Sequence, residues 1–194
     1  MNAVTVRSAL PEDALCLSVL AMQVFLDTYA TQGLRPAIAR EVLSAFSQQV
    51  FSQAIGSPGA RLLCAERAGH LVGFAHVTLG ASQAMAPPGG QAELLRLYVQ
   101  EPFTGQGVGS LLLAQAERAA GLAGATVVWL TPWVHNHRAL QFYGRRGYQD
   151  HGLTHFVFEG ESHENRVCAK LLGAATAAGA GPCQSVRAQG LSGC

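Results

Sequence analysis

The chain has 194 residues, of which 49% are hydrophobic and 13% are charged. This composition suits one globular domain with a sizeable core and excludes a largely disordered chain. Lys and Arg number 13 against 12 Asp and Glu, a formal net charge of +1. The overall charge therefore gives no electrostatic case for nucleic acid or an anionic membrane as the main partner.

The five cysteines are scattered along the chain, and none stand in a Cys-x-x-Cys spacing. An odd, dispersed set fits a reducing compartment better than a disulfide framework. The N-terminus has no signal-peptide pattern, and no apolar run reaches the length of a membrane span. We therefore expect a soluble, cytoplasmic protein.

The first half of the chain is predicted to form a strand, then two helices, and then a two-stranded hairpin. Residues 4–9 alternate as a short strand, and Pro11 opens a helix that runs to about Tyr29. A second helical pattern covers residues 36–54. Residues 61–68 and 70–79 then read as strands around a tight turn, and residues 80–90 as a flexible loop.

The second half alternates strands and helices and ends in a segment of different composition. Residues 92–99, 126–133, 155–159 and 165–171 read as strands, and residues 109–122 and 136–147 as helices. After Leu172 the sequence is rich in Ala, Gly and Ser, and such a segment buries too little to offset its ordering entropy. We expect one domain over residues 1–172 and a disordered tail over residues 173–194.

A glycine-rich turn, Val-Gln-Glu-Pro-Phe-Thr-Gly-Gln-Gly-Val-Gly-Ser at residues 99–110, joins a predicted strand to a predicted helix. Glycine lets the backbone approach a ligand, and the unpaired N–H groups at a helix start attract anions, so the turn suits a pyrophosphate. Its alternative role is to let the strand and helix pack tightly. A P-loop is excluded because no Lys follows a glycine here, and a dinucleotide fingerprint because Ser110 stands where glycine is needed.

A second motif lies at residues 136–148, Asn-His-Arg-Ala-Leu-Gln-Phe-Tyr-Gly-Arg-Arg-Gly-Tyr. Asn136 suits a helix N-cap, and Gly147 suits the end of that helix. Tyr143 falls two turns along the same face as Asn136. Taken alone, Tyr143 is better explained as an aromatic core residue beside Phe142.

Together the two segments resemble the motifs of the GNAT acetyltransferases. Gly107 and Gly109 fit the pattern Arg/Gln-x-x-Gly-x-Gly/Ala, while Thr104 departs from it. The second segment matches Asn-x-x-Ala-x-x-Phe-Tyr-x-x-x-Gly-Phe/Tyr at every spacing. The resemblance implies an α/β GNAT acyl-CoA N-acyltransferase fold, with a mixed, twisted sheet of six to seven strands flanked by about four helices.

The likeness spans residues 3 to about 172 and is closest to PaiA-type bacterial acetyltransferases, which are implicated in acetylating polyamines such as spermidine. It rests on Phe-Leu-Asp-Thr-Tyr at residues 25–29, Glu-Leu-Leu-Arg-Leu-Tyr-Val at residues 93–99, and Trp129 with Trp133. The implied activity is acetyl-CoA-dependent transfer of an acetyl group to a small-molecule or protein amine. Family members often form dimers, which makes a homodimer one candidate assembly, although the sequence itself gives no sign of the oligomeric state.

The resemblance also assigns residues to the coenzyme, and we expect Thr104 to weaken its binding more than abolish it. A backbone N–H within residues 97–99 would stabilise the tetrahedral oxyanion, and Tyr143 would protonate the leaving thiolate. The residues expected to bind the coenzyme are Leu97, Tyr98, Val99, Thr104, Gly105, Gln106, Gly107, Val108, Gly109, Ser110, Asn136, Ala139 and Tyr143.

Glu93 is the candidate general base, because strict strand alternation would place it on the face of Leu97 and Val99. The alternative is that Glu93 is a solvent-facing strand end. Asp27 and Tyr29, in the first long helix, are candidates for binding the acceptor.

The histidines near Asn136 and in the last strands lack the spacing of a metal site, so no metal is expected.

Three alternatives stay open. The acceptor could be a protein N-terminus, an amino acid or a drug amine. The chain could instead be a coenzyme-binding sensor without turnover, a function that Thr104 favours and that Asn136 and Tyr143 disfavour. The glycine turn could finally be structural only.

Overall fold

The computed structural model describes residues 3–158 and 161–173. Seven strands form one mixed sheet in the order β1-β2-β3-β4-β5-β7-β6. The strands are β1 (Val4–Ser8), β2 (Ala60–Arg67), β3 (His70–Leu79), β4 (Gln91–Val99), β5 (Val127–Leu130), β6 (Gln149–Phe158) and β7 (Glu161–Leu171). The helices are α1 (Ala14–Tyr29), α2 (Pro36–Ala45), α3 (Gln48–Gly56), α4 (Val108–Leu122) and α5 (His137–Gly144).

The predicted α/β fold class is confirmed. Helices cover both faces of the sheet, each over its own apolar core. On one face, α4 packs Leu112 and Leu113 against the sheet. On the other, α1 and α3 pack Leu17 and Phe51. Because each such side chain is removed from water, each contributes roughly 1.5–3 kcal/mol to folding. No helix within the described part of the chain is long and apolar enough to cross a membrane.

The sheet opens where β4 leaves β5. These two strands are parallel and pair only between residues 91–93 and residues 127–129. Beyond Glu93, β4 remains paired with β3, whereas β5 pairs with β7 on its other side. One edge of β4 over residues 94–99 therefore faces a V-shaped gap, with backbone groups free to bind a ligand.

A β-bulge in β4 overturns the predicted alternation of that strand. His76 pairs with Arg96 and Val77 with Leu94, so Leu95 has no partner on β3. An extra residue in one strand exchanges the two faces beyond it. The expectation that Glu93 shares a face with Leu97 and Val99 is therefore wrong.

Two other boundary predictions differ from the structure. The pattern over residues 36–54 is two helices rather than one, because Ser47 has extended backbone and its Oγ accepts a hydrogen bond from the N–H of Val50, which starts α3. Ser18 Oγ donates to the carbonyl of Phe46 at 2.6 Å and so stabilises the break. Strands β6 and β7 begin earlier than predicted, and the predicted tail from residue 174 onward lies outside the described residues.

Candidate active site

A cleft of about 570 Å³ opens at the gap between β4 and β5, beside the free edge of β4. Its walls come from four elements: the end of β4, the glycine turn with the start of α4, helix α5, and one side of α1. The lining residues are Val24, Asp27, Thr28, Leu97, Val99, Glu101, Thr104, Gly105, Gly107, Gly109, Ser110, Asn136, Arg138, Ala139, Phe142, Tyr143 and Arg146.

Most of the residues predicted to bind the coenzyme lie on this cleft, but three direct their side chains elsewhere. Tyr98 packs against Phe74 on the opposite face of the sheet. Gln106 donates to the carbonyl of Pro102 at 2.7 Å, and Val108 is buried in the core beneath α4. None of these three residues is among those that line the cleft.

The glycine turn presents backbone N–H groups to the cleft. Gly107 is the N-cap of α4 with φ +85° and no side-chain cap, and Gly105 has φ +71°. Both glycines line the cleft, and a Cβ at either position would meet no atom within 4 Å. Because the first N–H groups of a helix have no intrahelical acceptor, this end of α4 is an anion-binding site.

Thr104, the departure from the family pattern, has its side chain tied back to the turn. Its Oγ1 donates to the carbonyl of Glu101 at 2.9 Å. A short hydroxyl held in this way cannot reach across the cleft as Arg or Gln could.

Two arginines on the cleft were not predicted from the sequence. Arg138 Nη1 lies 2.9 Å from Glu101 Oε2, and Arg146 donates to Ser110 Oγ while stacking 4.0 Å from the centroid of the Phe142 ring. The signal was present, because residues 138, 142 and 146 are four apart and so recur on one side of a helical segment. They add positive charge to the anion-binding end of the cleft.

Tyr143 lies deep in the cleft and is 9% exposed. It is held in place by α5, which begins where Asn136 Oδ1 accepts a hydrogen bond from the N–H of Ala139 at 3.0 Å. Burial raises the pKa of Tyr143. Its hydroxyl carries a proton at neutral pH, as an unperturbed tyrosine also would, and is a candidate proton donor because of its place in the cleft.

Glu93 lies on the other face of β4, together with Arg96. Burial raises the pKa of Glu93, and the nearby charge of Arg96 partly offsets this. His76, opposite Arg96 on β3, is only 7% exposed, and burial lowers its pKa to about 4. A carboxyl with a raised pKa and a neutral imidazole thus lie on the sheet face that α1, α2 and α3 cover.

The two predicted acceptor residues on α1 lie near the mouth of the gap. Asp27 lines the cleft. The Tyr29 ring is 39% exposed and its centroid lies 5.7 Å from that of Trp133, on the opposite wall. Phe25 packs on Tyr29 at 4.6 Å, so aromatic rings form one side of the opening.

No group of three or more His, Cys, Asp and Glu side chains that could hold a metal occurs among residues 3–158 and 161–173. His135, one of the histidines beside Asn136, packs instead on Trp133 at 4.9 Å.

Comparisons with known proteins agree with this geometry. Residues 28–148 match the Acetyltransferase (GNAT) family. An uncharacterised N-acetyltransferase of Mycobacterium tuberculosis strain H37Rv is 30% identical over 135 residues, which cover 67% of this chain and 81% of that protein. The IAA acetyltransferase of Azospirillum brasilense is 29% identical over 100 residues, or 52% of this chain and 61% of that protein.

Solved structures show the same fold. The PaiA N-acetyltransferase of Thermoplasma acidophilum, in complex with coenzyme A, superposes with a TM-score of 0.70 at 22% identity and covers 88% of this chain and 99% of its own. The Salmonella typhimurium acetyltransferase yncA, with its cofactor acetyl-CoA, superposes with a TM-score of 0.63 at 19% identity and covers 92% of this chain and 99% of its own. With the family match spanning more than half of its length, this chain belongs to the GNAT family of acetyltransferases.

Proposed function

We propose that this chain binds acetyl-CoA in the cleft between β4 and β5 and transfers the acetyl group to a primary amine by direct attack in a ternary complex. The observation that carries the proposal is that one cleft holds both an anion-binding helix start, at Gly107, and a buried proton donor, Tyr143. The first suits the coenzyme pyrophosphate and the second its sulfur.

The coenzyme would lie along the length of the cleft. Its pyrophosphate would accept hydrogen bonds from backbone N–H groups of residues 107–110, with Arg138 and Arg146 nearby. Its pantetheine arm would pass the small side chain of Ala139 and the free edge of β4. That edge offers an N–H to the oxyanion formed on attack, a contact worth about 3 kcal/mol in the transition state.

The amine must lose a proton to attack, because an alkylammonium with a pKa near 10.4 has no lone pair. We propose Glu93 as the general base, acting directly or through water, since its raised pKa brings it closer to the working pH. Attack forms the C–N bond and a tetrahedral intermediate. Collapse breaks the C–S bond, and Tyr143 gives its proton to the departing thiolate.

The acceptor is proposed as a small primary amine that contacts Asp27 and Tyr29; polyamines are the one class of such amines that the PaiA-type resemblance suggests. A cytoplasmic location and a homodimer remain part of this proposal.

The second candidate function, a coenzyme-binding sensor, is favoured by Thr104, because its hydroxyl is held by Glu101 rather than offered to the coenzyme.

The test is thiol release from acetyl-CoA against a panel of amines, with coenzyme binding measured separately by calorimetry. We expect turnover by the wild type, loss of binding in Gly107→Trp, and a fall in kcat of at least about tenfold in Tyr143→Phe with binding retained. Binding without turnover of any amine would favour the sensor. Absence of coenzyme binding in the wild type would exclude both functions.

A further inference from the structure

We propose that the amine acetylated by this enzyme carries a carboxylate, and that Arg96 binds this carboxylate while Glu93 faces the amine. The acceptor is thus an amino-acid-like zwitterion rather than a polyamine. This inference rests on the proposed function and adds the chemical class of its acceptor.

The bulge in β4 places Arg96 where an acceptor would bind. Because Leu95 is the extra residue, Arg96 follows Glu93 on the same face of the strand. Each of the two side chains feels the charge of the other. Without the bulge, Arg96 would share a face with Leu94, which is buried in the core under α4.

Arg96 has hydrogen-bonding capacity that the protein leaves largely unused. Its guanidinium lies 4.9 Å from the centroid of the Phe46 ring, and Nη1 lies 3.4 Å from His76 Nδ1. Tyr98, which also accepts a side-chain hydrogen bond from it, and the charges of Glu93 and Glu41 favour its positive charge. Within residues 3–158 and 161–173, however, no carboxylate forms an ion pair with it.

The guanidinium is well suited to a ligand carboxylate. It has five N–H donors in a planar fork that matches a carboxylate with two parallel hydrogen bonds. Burial disfavours the charged guanidinium and lowers the pKa of Arg96. A bound carboxylate would stabilise that charge. His76, being buried and neutral, does not supply that anion.

The acceptor face is connected to the reacting end of the coenzyme cleft. Aromatic contacts lead from Arg96, which lies over the Phe46 ring, through Phe25, whose ring lies 5.2 Å from that of Phe46, to Tyr29 at the mouth of the gap. The rings of Phe25, Tyr29 and Trp133 form an apolar side wall. An amine with an aromatic or aliphatic side chain and a carboxylate matches this combination of groups.

A polyamine matches it poorly. One carboxylate, Glu93, can face the reacting amine, but a second ammonium on the same face would meet the positive charge of Arg96. Like charges in a half-buried site repel more strongly than in water. Arg96 and Glu93, side by side on one face of β4, instead complement a zwitterion.

The experiment compares acceptors that differ only in the carboxylate. Phenylalanine is paired with phenethylamine and leucine with isoamylamine, with spermidine included, and KM and kcat are measured at saturating acetyl-CoA. Arg96→Met removes the charge, Arg96→Lys keeps it without the fork, and Arg118→Met, on the exposed side of α4, is the matched control. Circular dichroism checks that each variant folds.

We expect the wild type to prefer the carboxylated partner of each pair. Arg96→Met should raise KM for that partner about 10- to 100-fold, leave KM for the partner without a carboxylate within about twofold, and leave coenzyme affinity unchanged. Arg96→Lys should restore part of the loss. Preference for spermidine or the decarboxylated amines, or an equal loss on both partners, would overturn the proposal.

Direct binding separates this inference from the proposed function. Titration of phenylalanine and leucine into the complex with coenzyme A, by calorimetry, requires no turnover. Binding that depends on Arg96 supports the assignment even where no amine is acetylated, a result that would contradict the proposed function alone. Failure of both amino acids to bind overturns the assignment, whatever the activity on other amines.

Discussion

Arg138 and Glu101 form an ion pair across the mouth of the coenzyme cleft, with Arg138 Nη1 at 2.9 and 3.0 Å from the two carboxylate oxygens. Arg138 belongs to α5, and Glu101 precedes the glycine turn that leads into α4. Both side chains are more than half exposed, so the pair itself adds little to stability. Its importance lies in its position, because an anionic coenzyme bound as proposed would compete with Glu101 for Arg138.

Substitutions of these two residues should therefore change coenzyme affinity in opposite directions. Glu101→Gln removes a competing anion and should lower the Kd for coenzyme A roughly two- to fivefold, whereas Arg138→Ala should raise it by a similar factor. Calorimetry at 50 and 300 mM salt measures both, and the differences should shrink at the higher salt. A change of the same sign in the two variants would show that the pair only shapes the turn.

Gly107→Ala should separate backbone strain from ligand access. Gly107 and Gly124 both have positive φ, +85° and +93°, with open space where a Cβ would stand, but only Gly107 lines the cleft. Either substitution should cost about 1–2 kcal/mol of unfolding free energy. Only Gly107→Ala should weaken coenzyme binding, by roughly tenfold or more.

Urea unfolding and calorimetry on the two variants test this expectation. If Gly124→Ala weakened the coenzyme as much as Gly107→Ala, the loss would come from general destabilisation and the glycine turn would not be the binding element.

The parts of the site that sequence could predict are those set by local chemistry. Gly107 lies at the N-cap of α4 in the left-handed region, and Asn136 caps α5 with its side chain. Both follow from the preferences of a residue and its immediate neighbours, so a pattern a few residues long is enough to indicate them.

The parts that sequence did not predict depend on contacts between distant segments. The bulge at Leu95 depends on the register of β4 against β3, and strict alternation gives no sign of it. The helix break at Ser47 is stabilised by Ser18, 28 residues before the Phe46 carbonyl it binds. The pair of Arg138 with Glu101 joins positions 37 apart.

Glu93→Gln should lower activity and raise stability. As the proposed base, Glu93 is active only when ionised, so the wild-type rate should fall as the pH falls through its raised pKa. The variant should lose at least about a hundredfold in kcat and lack this acid limb. Its coenzyme affinity should be unchanged, since Glu93 is outside the coenzyme cleft.

The stability gain follows from the same burial. A carboxyl whose folded-state pKa is raised binds a proton more readily when folded, so its stability contribution is lost as the pH rises through that pKa. At pH 7 a neutral amide avoids this loss. Urea unfolding should therefore give Glu93→Gln a larger free energy of unfolding than the wild type. A less stable variant, or an unaltered acid limb, would remove Glu93 from the role of base.

His76 should make the fold sensitive to mild acid. Burial lowers its pKa to about 4 from 6.5, so the unfolded chain takes up the proton first as the pH falls. The stability of the folded state is then constant above about pH 6.5 and declines between pH 6.5 and 4, by about 3 kcal/mol in total from this residue. In His76→Gln this residue does not titrate, so the free energy of unfolding should fall by about 3 kcal/mol less than in the wild type between pH 6.5 and 4.

Urea unfolding of the wild type, His76→Gln and His70→Gln at half-unit steps from pH 7 to pH 4 tests this prediction. His70, exposed at the start of β3, is the matched control and should follow the wild type. Paired carboxylates such as Asp13, whose pKa is lowered by Arg7, contribute an acid loss common to all three proteins. The difference between the His76 and His70 variants therefore isolates the buried imidazole, and parallel curves would mean that His76 is protonated in the folded state or that water reaches it.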